Sequence, residues 1–333
     1  MLSDQEIKDK VQEFKGRLDS FFFLTFDEEK IFSSYNLHLS SISEDYVELF
    51  RLFEKNIQSI ISIAKIPIQM SFERTINLMV DDIYRRKQIL SVEELIVIDK
   101  DDSQHIPDRK TLDQRSHQRA IYEFNEKIKT MEGRSQFWYH SLQFVLQCTT
   151  SNTSDKFLQS SRELVNQATL LTWTYIEILL RDYFIRHLNK YPAAVSELVK
   201  EPFLRSKFDI KSIPIEKLIE NNYDLSQSMG SLLIDNFDFS NIDLIKSIFK
   251  ALFGAKELAL SLNDPDIWKL YNRRNLIVHR GGVIDKKYLS KTSDNLIIGT
   301  KLYITPEELA TYLEKVTVIA GQLMKTAPTR VNT

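Results

Sequence analysis

The stretch that most limits what this chain can become runs from Asp155 to Asn189. It holds neither glycine nor proline, and Pro192 follows it. A run of that length without a breaker reads as one long helix stopped by the proline. Between Leu170 and Leu188 apolar residues fall on nearly every side, so the helix is expected to be central, not at the surface. Leu170, Trp173, Leu180, Phe184 and Leu188 share one stripe, and Glu177 sits inside it. A carboxylate on such a stripe needs a partner. Arg181, one turn on, is the local candidate, in a pair worth roughly a few tenths of a kcal/mol. A cation from another helix is the alternative.

The rest of the chain is equally poor in breakers, with 8 glycines and 8 prolines in 333 residues. That scarcity, with long amphipathic runs, predicts a mostly α fold. Ser3 to Leu24 reads as a helix. So does Ser43 to Lys65, with Tyr46, Leu49, Phe50, Phe53, Ile57 and Ile60 on one face and Pro67 beyond its end. Another helix follows to about Leu90. Glu93 to Lys100 suits a short strand or a helix end, and Asp101 to Lys110 is a loop. Asp113 to Gln147 reads as a long helix broken at Gly133. Thr149 to Ser154 is small and polar, which places a boundary there. The expected domains are a helical N-terminal one, 1–150, and a C-terminal one, 151–333. Within the second, 193–240 is a mixed connection and Asn241 to Phe253 a capped helix. Leu296 to Ile304 suits a small extended insertion, and Thr305 and Pro306 start a last helix running to about Lys325.

The best-punctuated helix lies between Asp264 and Gly281. Asp264 is an N-cap, Pro265 suits the first turn, and Asp266 suits the positive end of the dipole. Arg280 falls in the last turn, and Gly281 and Gly282 supply a left-handed cap. On a helical wheel Ile267, Leu270, Tyr271, Ile277 and Val278 form an apolar stripe with Arg274 in its middle. Trp268, Asn272, Asn275 and His279 share a neighbouring face. An arginine among apolar residues needs an acid from another element or an anion from outside.

Arg274-Asn275-x-x-x-His279, near a helix end and followed by glycines, resembles the signature of the HEPN superfamily. The Asp285-to-Leu289 segment resembles it too. The likeness covers about Asp155 to Met324 and leaves the first 150 residues without a relative. The same arginine-to-histidine spacing recurs at Arg134 to His140 and Arg181 to His187, without the polar neighbour or the capped helix, and is read there as structural. The resemblance implies a helical bundle, metal-independent RNA cleavage leaving a 2′,3′-cyclic phosphate, and a homodimer with its motifs facing each other. It makes His279 the proton-transfer residue, Arg274 the phosphate ligand and Asn275 the residue that orients them. Glu177, with Arg181 beside it, becomes their support, and an acid facing the motif helix favours its pairing with Arg274 across a helix–helix interface over the local pair with Arg181.

The chemistry of RNA agrees with those parts. An RNA strand carries its own nucleophile, the 2′-hydroxyl, and cleavage needs a base, an acid and a cation for the crowded phosphate. Histidine titrates near neutrality and suits the proton transfers. A single set supplies one histidine, so a symmetric dimer would bring the second. The formal net charge of −2 makes the molecule no polycation, so RNA contact must rest on a local patch. Lys269, Arg273, Arg280, Lys286, Lys287 and Lys291 surround the motif against Asp285 alone, and the first five are the candidate RNA ligands.

Other chemistries lack their residues. No phosphate-binding glycine loop, dinucleotide fingerprint or nucleophile elbow occurs. Cys148 is the single cysteine, which excludes an internal disulfide and a four-thiolate metal site. The other histidines, 38, 105, 117, 140 and 187, lack metal-ligand spacing, and His187 reads as a cap facing a helix dipole. No cofactor and no metal are expected. The acidic start, with Ser3 and Glu6 as a capping box, is not a signal peptide, and no apolar run reaches a membrane span. A cytoplasmic RNA endonuclease, acting as a toxin or an abortive-infection effector against phage, is the first expectation. Residues 1–150 would then contact a sensor, antitoxin or defence partner. A HEPN module that only binds or assembles is the second. A toxin silenced by adenylylation of a tyrosine two residues after the histidine is disfavoured, because Gly281 stands there.

Overall fold

Helix is the only regular secondary structure among the described residues of the computed structural model, which cover 27–329 apart from 34, 36–38, 99–108, 151–153, 207–214 and 235–236. The mostly α expectation holds. The principal helices are α1 (Glu28–Phe32), α2 (Glu44–Ile98), α3 (Arg109–Lys129), α4 (Met131–Thr150), α5 (Ser154–Lys190), α6 (Ile242–Phe253), α7 (Lys256–Leu262), α8 (Pro265–Arg280), α9 (Lys286–Thr292) and α10 (Pro306–Met324). Short helical turns fill much of the connection between α5 and α6. The helix expected over Ser3 to Leu24, most of the Asp101-to-Lys110 loop, and His38 and His105 lie outside the described residues. Among those described, no helix is long and apolar enough to cross a membrane.

Two helices run differently from expectation. α2 passes through Pro67 without ending and takes in Glu93 to Ile98. A proline removes one backbone hydrogen bond and crowds the preceding turn, but long helical flanks on both sides outlast that loss. The break expected at Gly133 comes earlier, at Thr130, whose Oγ1 accepts from the Gly133 N–H at 3.0 Å. Gly133 is required for a different reason. A Cβ there would stand 1.9 Å from the Lys127 carbonyl oxygen.

The described residues form two compact units, one within Lys65–Ser161 and the other within Asp19–Ala64 and Arg162–Thr333. A division at 150/151 is therefore not the one the packing makes. Of the polar stretch after Gln147, Thr149 and Thr150 end α4 and Ser154 starts α5. The described residues from 27 to 64 belong with the C-terminal half because their apolar face is buried there. Tyr35, Tyr46, Phe50, Phe53, Ile57 and Ile60 enter one core with Tyr183, Phe184, Leu313 and Val316. The Tyr46 and Tyr183 rings lie 5.1 Å apart, and the Thr317 hydroxyl donates to the Ile31 carbonyl at 2.6 Å.

The unit within 65–161 has a thin apolar core of Val80, Ile83, Ala120 and Phe124. Buried hydroxyls supplement it. Ser71 donates to the Ser141 carbonyl at 2.7 Å and Ser141 donates to Thr75 at 3.0 Å.

In the other unit α5 is central, as its all-round apolar sequence requires. Trp173, Ile176, Leu179, Leu180, Tyr183, Phe184 and Leu188 are all buried. Asn241 caps α6 by accepting from the backbone of Asp243 and Leu244. Thr305 and Glu308 form a reciprocal capping box on α10, with Pro306 in the first turn. The segment after α9 is the expected extended insertion. It lies along the residues that follow α8: Leu302 N–H donates to the Gly282 carbonyl at 2.7 Å and Ile284 N–H to the Thr300 carbonyl at 2.9 Å.

Candidate active site on helix α8

α8 starts and stops where its sequence says. Asp264 accepts from the Asp266 N–H at 2.9 Å, and Gly281 closes the helix in the left-handed conformation at φ 60°. Lys315 on α10 holds the start in place, 2.6 Å from Asp264. The face presented to the core is rotated from the wheel's reading. Ile267, Leu270, Arg273 and Leu276 are buried, whereas Val278 is exposed and Arg274 only half-buried. The arginine in the core is Arg273.

Arg273 is committed to the protein's own acids. Its Nη1 lies 2.8 Å from Glu308 and its Nη2 3.4 Å from Asp294. Its Nε donates to the Tyr288 hydroxyl at 3.2 Å, and that hydroxyl donates to Asp294 at 2.5 Å. Lys269 joins the same cluster, 3.1 Å from Asp294 and 3.4 Å from Glu308. Burial pulls the Arg273 pKa down, but contact with Glu308 more than reverses it. Burial raises the Asp294 and Glu308 carboxyls, yet Tyr288, Lys269 and Arg273 bring Asp294 below its ordinary value, and Arg273 does the same for Glu308. Burial also pushes the Tyr288 hydroxyl up to about 12. The cluster bolts α8 to α9 and α10. It also removes Arg273 and Lys269 from the expected RNA ligands, because both are paired with carboxylates inside the protein.

Arg274, the next residue, is placed oppositely. A cleft of about 390 Å³ runs along α8, and Arg274, Asn275 and His279 all line it. Among the described residues the one hydrogen bond of the Arg274 guanidinium goes to the Asn275 side-chain oxygen, at 2.9 Å. Its Nε is buried without a hydrogen-bond partner among the described residues, as is Nη1 of Arg273, but the latter has the Glu308 carboxylate 2.8 Å away. The acid across the helix interface is Glu177 on α5, 3.9 Å from Nη2 of Arg274, too far for a hydrogen bond but close enough to hold the charge. Glu177 does not pair with Arg181, which turns to Asp182 at 3.0 Å. Glu177 is instead oriented by the Trp173 indole N–H at 2.8 Å. Burial raises its pKa, against the pull of Arg274 and Trp173. A guanidinium has five donors in a rigid fork. One that leaves most of them unused, facing a cleft beside a carboxylate it does not quite touch, has donors with which an anion can be bound.

His279 is exposed at the end of α8 and makes no hydrogen bond among the described residues. Arg280, Lys287 and Lys291 join it around the cleft, and Asp285 lies 3.5 Å from Arg280. Lys286 is exposed on the same short helix as Lys287 but does not line the cleft. His187, expected to be a dipole cap, is packed among Tyr183, Tyr191 and Phe253. Burial lowers its pKa to about 4, so it stays neutral and cannot serve as a cationic cap.

Ser240, Tyr271, Asn272, Tyr288 and Lys291 also line the cleft, and sequence alone did not select them as site residues. Asn272 and Lys291 had a signal. Asn272 lies three and seven residues before Asn275 and His279, the spacing of one helical face. Ser240 comes from the connection before α6, where no periodicity points anywhere. The chain matches no known protein-family profile, no curated protein and no solved structure.

Proposed function

We propose that this protein is an RNA endonuclease of HEPN type that cleaves without a metal ion, through Arg274, Asn275 and His279. The observation that carries the reading is the contrast between two adjacent arginines. Arg273 is taken up by carboxylates, whereas Arg274 keeps its donors for something that enters the cleft. A phosphodiester fits that demand: it is anionic, planar recognition by a guanidinium suits it, and the exposed imidazole beside it can move the proton of a 2′-hydroxyl. Arg280, Lys287 and Lys291 supply the local positive rim that a chain of net charge −2 needs to hold a polyanion. Lys286 extends that rim.

The biological role that follows is a cytoplasmic toxin or phage-defence effector, active as a homodimer and controlled by a partner on residues 1–150. A binding module without catalysis is the competing reading, favoured because no group among the described residues orients His279 within one chain. Incubation of the purified protein with labelled RNA in excess EDTA separates the two. Cuts ending in 2′,3′-cyclic phosphate support the nuclease, and binding without cuts supports the module.

A further inference from the structure

We infer that Asn272 is a base-reading residue and that the cleft takes RNA at nucleotides bearing an exocyclic amino group, cytidine and adenosine before uridine. The inference rests on the RNA reading of the same cleft and adds its specificity. Asn272 is 4% exposed, yet it lines the cleft. Its side-chain nitrogen donates to the Trp268 carbonyl at 2.8 Å. A backbone carbonyl can only accept, so the amide is locked with nitrogen inward, and its oxygen has no hydrogen bond among the described residues. Ser240 on the cleft wall is locked in the same sense. Its hydroxyl donates to Asp238 at 2.6 Å, which leaves its lone pairs as the free valence. The Ser240 hydroxyl has its one hydrogen committed and the Asn272 amide one of its two, and each keeps an oxygen with no donor on it among the described residues, at a residue that lines the cleft.

The remainder of the polar lining is opposite in character. Arg274, Arg280, Lys287 and Lys291 are donors and suit phosphate. Arg280 follows His279 directly, so the donors beside the imidazole suit phosphate, and the oxygens of Asn272 and Ser240 suit a base. Asn272 stands seven residues before His279 on the same face, about 10 Å along the axis by helical rise. That separation lets a base be read at Asn272 while its phosphate lies at His279, with Arg274, about 3 Å along the axis from Asn272, between them. The N4 amino of cytosine and the N6 amino of adenine present N–H donors to such acceptors. Uracil presents a carbonyl oxygen at the equivalent position and meets like against like.

The test varies the substrate first, so that folding is not in question. Cleavage is measured on oligonucleotides that differ at one position, cytidine, uridine, or a cytidine analogue with hydrogen in place of the amino group. Matched 2′-O-methyl strands, which cannot be cut, report binding alone by fluorescence anisotropy. Cytidine is expected to be cut and bound roughly tenfold better than uridine or the analogue, the scale of one base-edge hydrogen-bonding contact. Asn272→Leu should bring the cytidine-to-uridine ratio to near one, and Ser240→Ala, which leaves the α8 bond intact, should reduce it. Equal cutting and equal binding of the three strands would overturn the inference while leaving the nuclease standing. Binding preference without any cutting would keep Asn272 as a reader and remove the nuclease. Absence of both would remove both.

Discussion

Arg274 and Glu177 face each other across α8 and α5 with 3.9 Å between Nη2 and Oε2, close enough for charge and too far for a hydrogen bond. The carboxylate steadies the guanidinium without using its donors. Replacing Arg274 by alanine should lower RNA cleavage about 10²- to 10³-fold, the usual cost of one stabilising donor group at a reacting centre. Lysine should not restore it, because an ammonium cannot reproduce the fork. Both partners are partly exposed, so the melting temperature should move little, with a stability loss of about 1 kcal/mol or less. A variant that cuts at the wild-type rate would show that the cleft is not the site.

Arg273 should behave in the reverse way. Replacing it by methionine leaves Glu308 and Asp294 with Lys269 as their remaining cation, so the loss should lie at or below the roughly 3–5 kcal/mol of breaking a fully buried pair from one side. Urea unfolding measures this directly. An unchanged midpoint would mean that the carboxylates find water or another cation.

Acid should loosen the fold through the same cluster. Asp294 and Glu308 are held below their ordinary values when folded. Such groups contribute stability above their unfolded pKa, and it is lost as pH falls through the folded value. Glu177 has the opposite sign, since burial raises it, and its contribution fades as pH rises. His187, kept neutral by burial with a pKa of about 4, adds a loss that starts near the ordinary histidine value, so the melting temperature should fall as pH drops from about 6 toward 3, with Asp294 and Glu308 acting in the lower part of that range. A flat profile down to about pH 3 would contradict the role given to the cluster.

Activity should track a two-fold dimer. One cleft holds one His279, and the proposed reaction uses both a base and an acid. Light scattering at micromolar concentration should give the mass of two chains, and dilution below the dissociation point should stop cleavage. Cleavage by a monomer would require that the second proton carrier come from within the chain.

Much of this was readable before any coordinates. α8 could be delimited to the residue because caps are local chemistry: Asp264, Pro265 and Gly281 act within a turn of themselves. The central place of α5 followed from its all-round apolar sequence. What failed was most of what long-range packing sets, the approach of Glu177 to Arg274 excepted. A wheel places residues about 100° apart, so it could not decide whether Arg273 or Arg274 turns inward. Glu308 and Asp294 decide that, and they lie far along the chain. Residues 27–64 read as belonging to an N-terminal domain because nothing local says which core Tyr46 and Phe50 will enter. Ser240 reaches the cleft only through the fold.

The most direct measurement is a time course of RNA cleavage in excess EDTA by the wild-type protein and by His279→Ala, with the product ends identified. The account predicts wild-type cuts leaving 2′,3′-cyclic phosphate, lost by about 10²- to 10⁴-fold in the variant while its circular dichroism and melting temperature stay unchanged. Equal cleavage by both proteins, or activity that appears only when a divalent ion is added, would contradict it.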